Sequence, residues 1–266
     1  NSMLAQANAQ VNQMLQSSSG IQQLVADFNL CEAPSSSLDV ANFLDSLSGV
    51  PSGVVQYSND NNSYQPFNVS VMCSMLMSQS TPYQGLIAVW NANNKFNGDT
   101  DCTDINYANF VKSMQPSSAG RSWTWQTCTE FGYYQTAETT DQPFSSSIDL
   151  QFFLQQCQDI FGVENLQPNI DWINNYYGGR NIVTDNTVFA NGDVDPWHIL
   201  GTYRTFPSSS QSDAFLITGT AHCADLYPAR SQDLPSLTNA RVQQNALLGQ
   251  WLKNGNPSQQ KRQPEE

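Results

Sequence analysis

The chain has 266 residues, 39% of them hydrophobic and only 12% charged, with a formal net charge of −13. That length can bury a sizeable core and hold two units. The acidic balance excludes the basic patches of a nucleic-acid binder and disfavours an anionic membrane surface.

In chain order, Met3, Leu4, Val11 and Leu15 share a helical face, broken at Ser17-Ser18-Ser19-Gly20 and resumed from Ile21 to Leu30. Ser35-Ser36-Ser37 offers caps for a helix carrying Leu38, Val40, Phe43, Leu44 and Leu47, expected to end at Gly49. Val69 to Met77 is apolar, and Pro82 starts a helix through Leu86, Val89 and Trp90. Helices without intervening strands predict a helical cap over residues 1–115, with a polar loop from Lys95 to Asp104. Further on, Trp123-Thr124-Trp125-Gln126-Thr127 alternates like a strand. Ile148 to Phe161 reads as a helix ended by Gly162, and Asn169 to Tyr177 as a short helix stopped by Gly178-Gly179. Strands are expected at Thr187–Ala190 and Ala214–Ile217, and a last helix from Ser236 to Leu252. Such alternation predicts an α/β unit over 116–253, a parallel sheet covered on both faces, followed by a polar tail at 254–266. No apolar run approaches the ~18 residues that span a bilayer. The chain opens on Asn1, without an initiator Met or a leader, so it is expected to be cut from something longer.

The six cysteines are Cys31, Cys73, Cys102, Cys128, Cys157 and Cys223. None sits in a Cys-x-x-Cys unit, which gives zinc little support, and their spread predicts disulfides in an oxidising compartment. Asn61 and Asn68 each head a glycosylation sequon, which points the same way.

Two segments carry chemistry. Asn191-Gly192-Asp193-Val194-Asp195-Pro196-Trp197 follows the first expected strand, and Gly219-Thr220-Ala221-His222-Cys223-Ala224-Asp225 follows the second. An acid and then a histidine at strand ends is how an α/β-hydrolase supplies the last two members of a Ser-Asp-His triad. Asp195 is preferred over Asp193 as the acid, because a rigid proline and a large aromatic flank it. His198 reads as a surface or supporting residue. A metal held by Asp193, Asp195, His198 and His222 is disfavoured by the spacing. Cys223 as a nucleophile is disfavoured because a neighbour on an extended loop points away from the ring. No Gly-x-Ser-x-Gly elbow is present: the base and its acid come without a nucleophile. Of the aromatic group Trp123, Trp125, Phe131, Tyr133, Tyr134 and Trp197, some can line a site, since a proline ring packs well on aromatic faces. Glu130 reads as a salt-bridge partner or as the group that binds a substrate terminus.

Arg121-Ser122-Trp123-Thr124-Trp125-Gln126-Thr127-Cys128-Thr129-Glu130-Phe131-Gly132, together with the Asp195 and His222 segments, resembles the prolyl carboxypeptidase and dipeptidyl peptidase II family of serine peptidases, in particular its thymus-specific serine protease branch. The resemblance implies an α/β-hydrolase domain interrupted by a helical cap, with Asp195 as acid, His222 as base and Trp197 lining a proline pocket. It implies disulfides Cys31–Cys102 and Cys128–Cys157, with Cys73 paired to a partner upstream of Asn1. It implies peptide substrates cut after proline near a terminus, a secreted or lysosomal lumen, and no cofactor. The missing N-terminal half of the same protein would be the partner that supplies the serine, so residues 1–266 alone are expected to be inactive; a homodimer stays open. The rival is a non-catalytic, hydrolase-like secreted binding protein.

Overall fold

Residues 2–58, 67–99 and 101–254 are described by a computed structural model. The chain divides into two units, one of residues 1–54 and 69–176, the other of residues 55–68 and 177–266. The change of character read near residue 115 falls inside the first unit.

The first unit is helical. Helices α1 (Ser2–Met14) and α2 (Ser18–Asp27) are separated at Ser17, whose hydroxyl accepts the Gly20 N–H and caps α2. Next come α3 (Ser37–Gln56), whose last two residues, 55 and 56, belong to the second unit, then α4 (Val69–Ser78) and α5 (Pro82–Asn97), the last capped by Thr81 and closed by left-handed Gly98. Their core centres on Phe28, which meets Phe43, Tyr83 and Trp90 edge-on at 5.5, 6.1 and 5.7 Å. The Trp90 indole N–H donates to the Phe28 carbonyl at 3.0 Å. A disulfide joins Cys31 to Cys102, beside a bridge pairing Leu30 with Thr103. After α6 (Tyr107–Ser113) and α7 (Ala119–Gln126) a π-helical turn, Thr127–Phe131, leads toward α8 (Leu150–Phe161) and α9 (Ile170–Tyr177). Cys128 is disulfide-bonded to Cys157 on α8.

Two expectations fail in this unit. α3 does not end at Gly49 but continues through Pro51 to Gln56. An interior proline costs about 3 kcal/mol. Burial of Leu44, Leu47, Val50 and Val54 along the same helix offsets it, at about 1.5–3 kcal/mol for each side chain fully buried. Trp123 to Thr127 is not a strand but the end of α7 and the start of the π turn. Ser118 caps that helix by accepting the Arg121 N–H, and the two indoles find different partners, Trp123 on Phe131 and Trp125 on Phe161. Local capping and tertiary aromatic contacts override the β-like alternation.

The second unit is built on two parallel strands, β1 (Val188–Gly192) and β2 (Asp213–Ile217), in register from Val188 opposite Asp213 to Gly192 opposite Ile217. The connection between them carries 3₁₀ turns at Pro196–Leu200 and Ser208–Ser210 rather than an α-helix. Helix α10 (Pro235–Asn254) packs Leu237 and Ala240 against Ile217 and Ala224, with Ala190 and Phe215 at the margin. The expected cover on both faces is not found among the described residues: along the strands only Gly192 and Ile217 are buried. The chain is thus a helix-rich α/β protein with a small parallel sheet. No described helix is long and apolar enough to cross a membrane.

Candidate active site

Both parallel strands end at the same level, and the loops that leave them meet there, the position where parallel sheets place their sites. Gly192 permits the approach. A Cβ at that residue would lie 2.5 Å from the Thr220 carbonyl oxygen, so any larger side chain would force the loops apart. The Val194 N–H donates to the Thr220 carbonyl at 3.0 Å, stitching the first loop to the second.

Asp195 stands at the N-cap of the Pro196–Leu200 turn and is buried. Its Oδ1 accepts the Trp197 N–H at 2.9 Å. Its Oδ2 lies 2.8 Å from Nδ1 of His222. A buried carboxylate at that distance fixes Nδ1 as the protonated nitrogen and leaves Nε2 as the basic one. The Asp195 side chain is 11% exposed and that of His222 30%, so the pair is shielded on the acid side and open on the base side. Burial, helped by the charge of Asp195, pushes the nearby Tyr203 phenol up, with Arg180 acting the other way. Asp193 does not share this position: its Oδ1 accepts the Gly219 N–H at 2.6 Å and closes the turn that precedes His222. The His198 ring folds back onto the Asp195 carbonyl. Cys223 is exposed, in left-handed conformation.

Three contributors escaped the sequence. The His222 N–H donates to the Gln56 carbonyl at 3.0 Å, and the Trp197 indole N–H donates to Gln56 Oε1 at 2.9 Å. The Tyr57 ring stands edge-on to the imidazole at 5.9 Å. On α10, Arg241 donates to the carbonyls of Ala224, Asp225 and Tyr227 at 2.9, 3.2 and 2.7 Å, and to Asp233 at 2.5 Å. Burial opposes ionisation of Asp233, but bonds from the Arg230 N–H and Arg241 outweigh it and hold the carboxyl below its ordinary range. Arg241 thereby clamps the loop that follows His222. A cavity of about 740 Å³ opens beside the pair, lined by Asp195, Trp197, His222, Cys223 and Arg241.

The chain is matched by the family model described as serine carboxypeptidase S28 over residues 2–244. It belongs to the S28 family of serine peptidases. A Caenorhabditis elegans relative with a serine protease name is 36% identical over 261 residues, 91% of this chain and 51% of its own length. The human thymus-specific serine protease is 34% identical over 273 residues, covering 95% of this chain and 51% of that protein. The human lysosomal Pro-X carboxypeptidase is 27% identical over 254 residues, 91% and 49% of the two chains. The chain therefore spans about half the length of the curated S28 relatives it matches.

Asp195, Trp197 and His222 come together in the second unit. Glu130 and Tyr133 lie in the first, where Glu130 sits in the π turn and Tyr133, with a positive φ of its own, follows Gly132 at φ 70°. Phe131 links the rings of Trp123 and Tyr133, at 5.3 and 4.8 Å. Of the glycosylation acceptors, Asn61 lies outside the described residues and Asn68 is half-buried just before α4. Cys73 is exposed and has no disulfide partner among the described residues.

Proposed function

We propose that this chain supplies the acid and base of a serine exopeptidase that cuts peptides after proline near a terminus. The nucleophile is a serine in the part of the family's length that these 266 residues do not span. His222 Nε2 takes the proton of that serine as its oxygen attacks the scissile carbonyl. The same nitrogen then hands the proton to the leaving amine, and the cycle repeats with water on the acyl-enzyme. Asp195 holds the imidazole in the required tautomer and stabilises the imidazolium. Trp197 lines the proline pocket, Glu130 binds the charged terminus of the peptide, and Tyr133 offers a ring face. Residues 1–115 act as the cap of an α/β-hydrolase domain whose second half is 116–253, in a lysosomal or secreted lumen where Asn61 and Asn68 carry glycans.

The observation that carries this reading is the 2.8 Å contact between Asp195 Oδ2 and His222 Nδ1, at the ends of two adjacent parallel strands. Membership of the S28 family and a relative named lysosomal Pro-X carboxypeptidase support the chemistry, the proline preference and the compartment. The test is hydrolysis of proline-containing di- and tripeptide substrates by the full-length protein and by residues 1–266 alone. The full-length protein is expected to turn them over and the 266 residues are not. A full-length protein without a serine elbow and without turnover would favour a hydrolase-like binding protein instead.

A further inference from the structure

We infer that Gln56 is a positioning residue that fixes the indole of Trp197 beside the His222–Asp195 pair and so sets how tightly the proline side of a substrate is held. The inference rests on the exopeptidase reading above. Gln56 is the last residue of α3 and meets both loops of the site at once. Its carbonyl receives the His222 N–H at 3.0 Å, and its side-chain oxygen receives the Trp197 indole N–H at 2.9 Å. The next residue, Tyr57, places its ring edge-on to the imidazole.

The two bonds divide the work. The bond to His222 uses the Gln56 main chain, so any residue at position 56 can make it. The bond to Trp197 uses the amide oxygen and is lost with it. An indole N–H can only donate, so a half-buried tryptophan needs an acceptor to keep one orientation. The Trp197 main chain is already held by Asp195 Oδ1, at 2.9 Å. The side chain of Gln56 is thus a fastening of the ring itself, made through the indole N–H and separate from the bond between Asp195 and His222. Loosening it should weaken recognition of the proline ring and leave proton transfer intact.

Three variants of the full-length protein test this. Gln56→Met keeps the length and loses the acceptor; Gln56→Glu keeps an acceptor; Gln56→Asn keeps the amide one methylene short of the indole. On a proline-containing peptide, Met and Asn should raise KM about five- to tenfold, the value of one hydrogen bond, with kcat within about twofold of wild type. Glu should restore KM to within about twofold, which a packing role would not predict. The preference for proline over alanine beside the scissile bond should fall by the same factor as KM rises. Where Met lowers the melting temperature, Asn serves as the variant without the bond. Wild-type KM in both Met and Asn overturns the inference, as does an equal rise in Glu, or a loss confined to kcat. A wild-type protein that turns over no peptide overturns the exopeptidase reading itself, and this inference with it.

Discussion

The two units differ in what holds them together. The helical unit has a deep aromatic and aliphatic core, in which Phe28, Phe43, Leu24, Leu47, Leu86 and Val89 are all buried to within 2%, and both of the disulfides found. Among the described residues of the unit bearing Asp195 and His222, Ile217, Ala224, Leu237 and Ala240 form a core cluster, while Leu226 and Leu252 stay 77% and 76% exposed. It relies on polar fastenings: Asp195 between Trp197 and His222, Asp193 on Gly219, Gln56 across two loops, and Arg241 on the carbonyls behind the histidine. Within these residues, apolar packing and disulfides dominate the first unit and polar bonds around the Asp195–His222 pair the second. Substitutions in the first should therefore move melting curves, and those in the second should move rates.

The largest expected effect is on rate. In the full-length protein His222→Ala should lower turnover by about 10⁶, as removal of one triad member does in a serine peptidase, with the circular dichroism spectrum unchanged. Asp195→Asn should cost about 10⁴, because the amide presents the wrong partner to Nδ1. Arg241→Ala crosses the divide. It strips three carbonyls of their donor and leaves Asp233 buried beside Arg230 alone, which should cost about 3–5 kcal/mol in urea unfolding as well as turnover. In the helical unit, Cys128→Ser with Cys157→Ser opens a 29-residue separation worth about 3.5 kcal/mol on the chain-entropy estimate. A lower melting temperature is expected, with KM little changed.

The smallest effect is a pH dependence. Burial would raise the Asp39 carboxyl, but bonds from the Tyr107 N–H, Ser35 and Ser36 outweigh it and lower the pKa from 3.8 to about 2. A folded pKa below the unfolded one gives stability that is full above pH 3.8 and lost as pH falls through about 2, worth roughly 2 kcal/mol. Burial pushes Asp45, on α3, up to about 6, so stability declines as pH rises from 3.8 through that value. Acid titration of the melting temperature should show a maximum between the two windows, and Asp39→Asn should flatten its acid limb.

Much of this was legible from local pattern. The strands expected at 187–190 and 214–217 are found at 188–192 and 213–217, from apolar runs bounded by turn residues, and the helix expected to end at Gly162 is α8, closed by that left-handed glycine. The Asp195 and His222 segments stand out because an acid and a base each follow a strand. What stayed hidden depends on tertiary contact. A Gly-Val-Pro sequence is an ordinary helix stop, and only burial around Val50, Pro51 and Val54 carries α3 onward. Because that extension is invisible in the sequence, so is Gln56, which reaches Trp197 across 141 residues. Arg241 looks like a surface charge on a helix of weak apolar periodicity, and its role depends on carbonyls that only the folded loop gathers. The alternation at Trp123 to Thr127 misled because each indole answers to a ring brought by another segment.

The central claim, that Asp195 and His222 serve a serine outside this chain, is met most directly by fluorophosphonate labelling of the full-length protein followed by peptide mapping. The label should fall on a serine outside residues 1–266 and should vanish in His222→Ala. A labelled serine within these 266 residues, or labelling that survives His222→Ala undiminished, would contradict it.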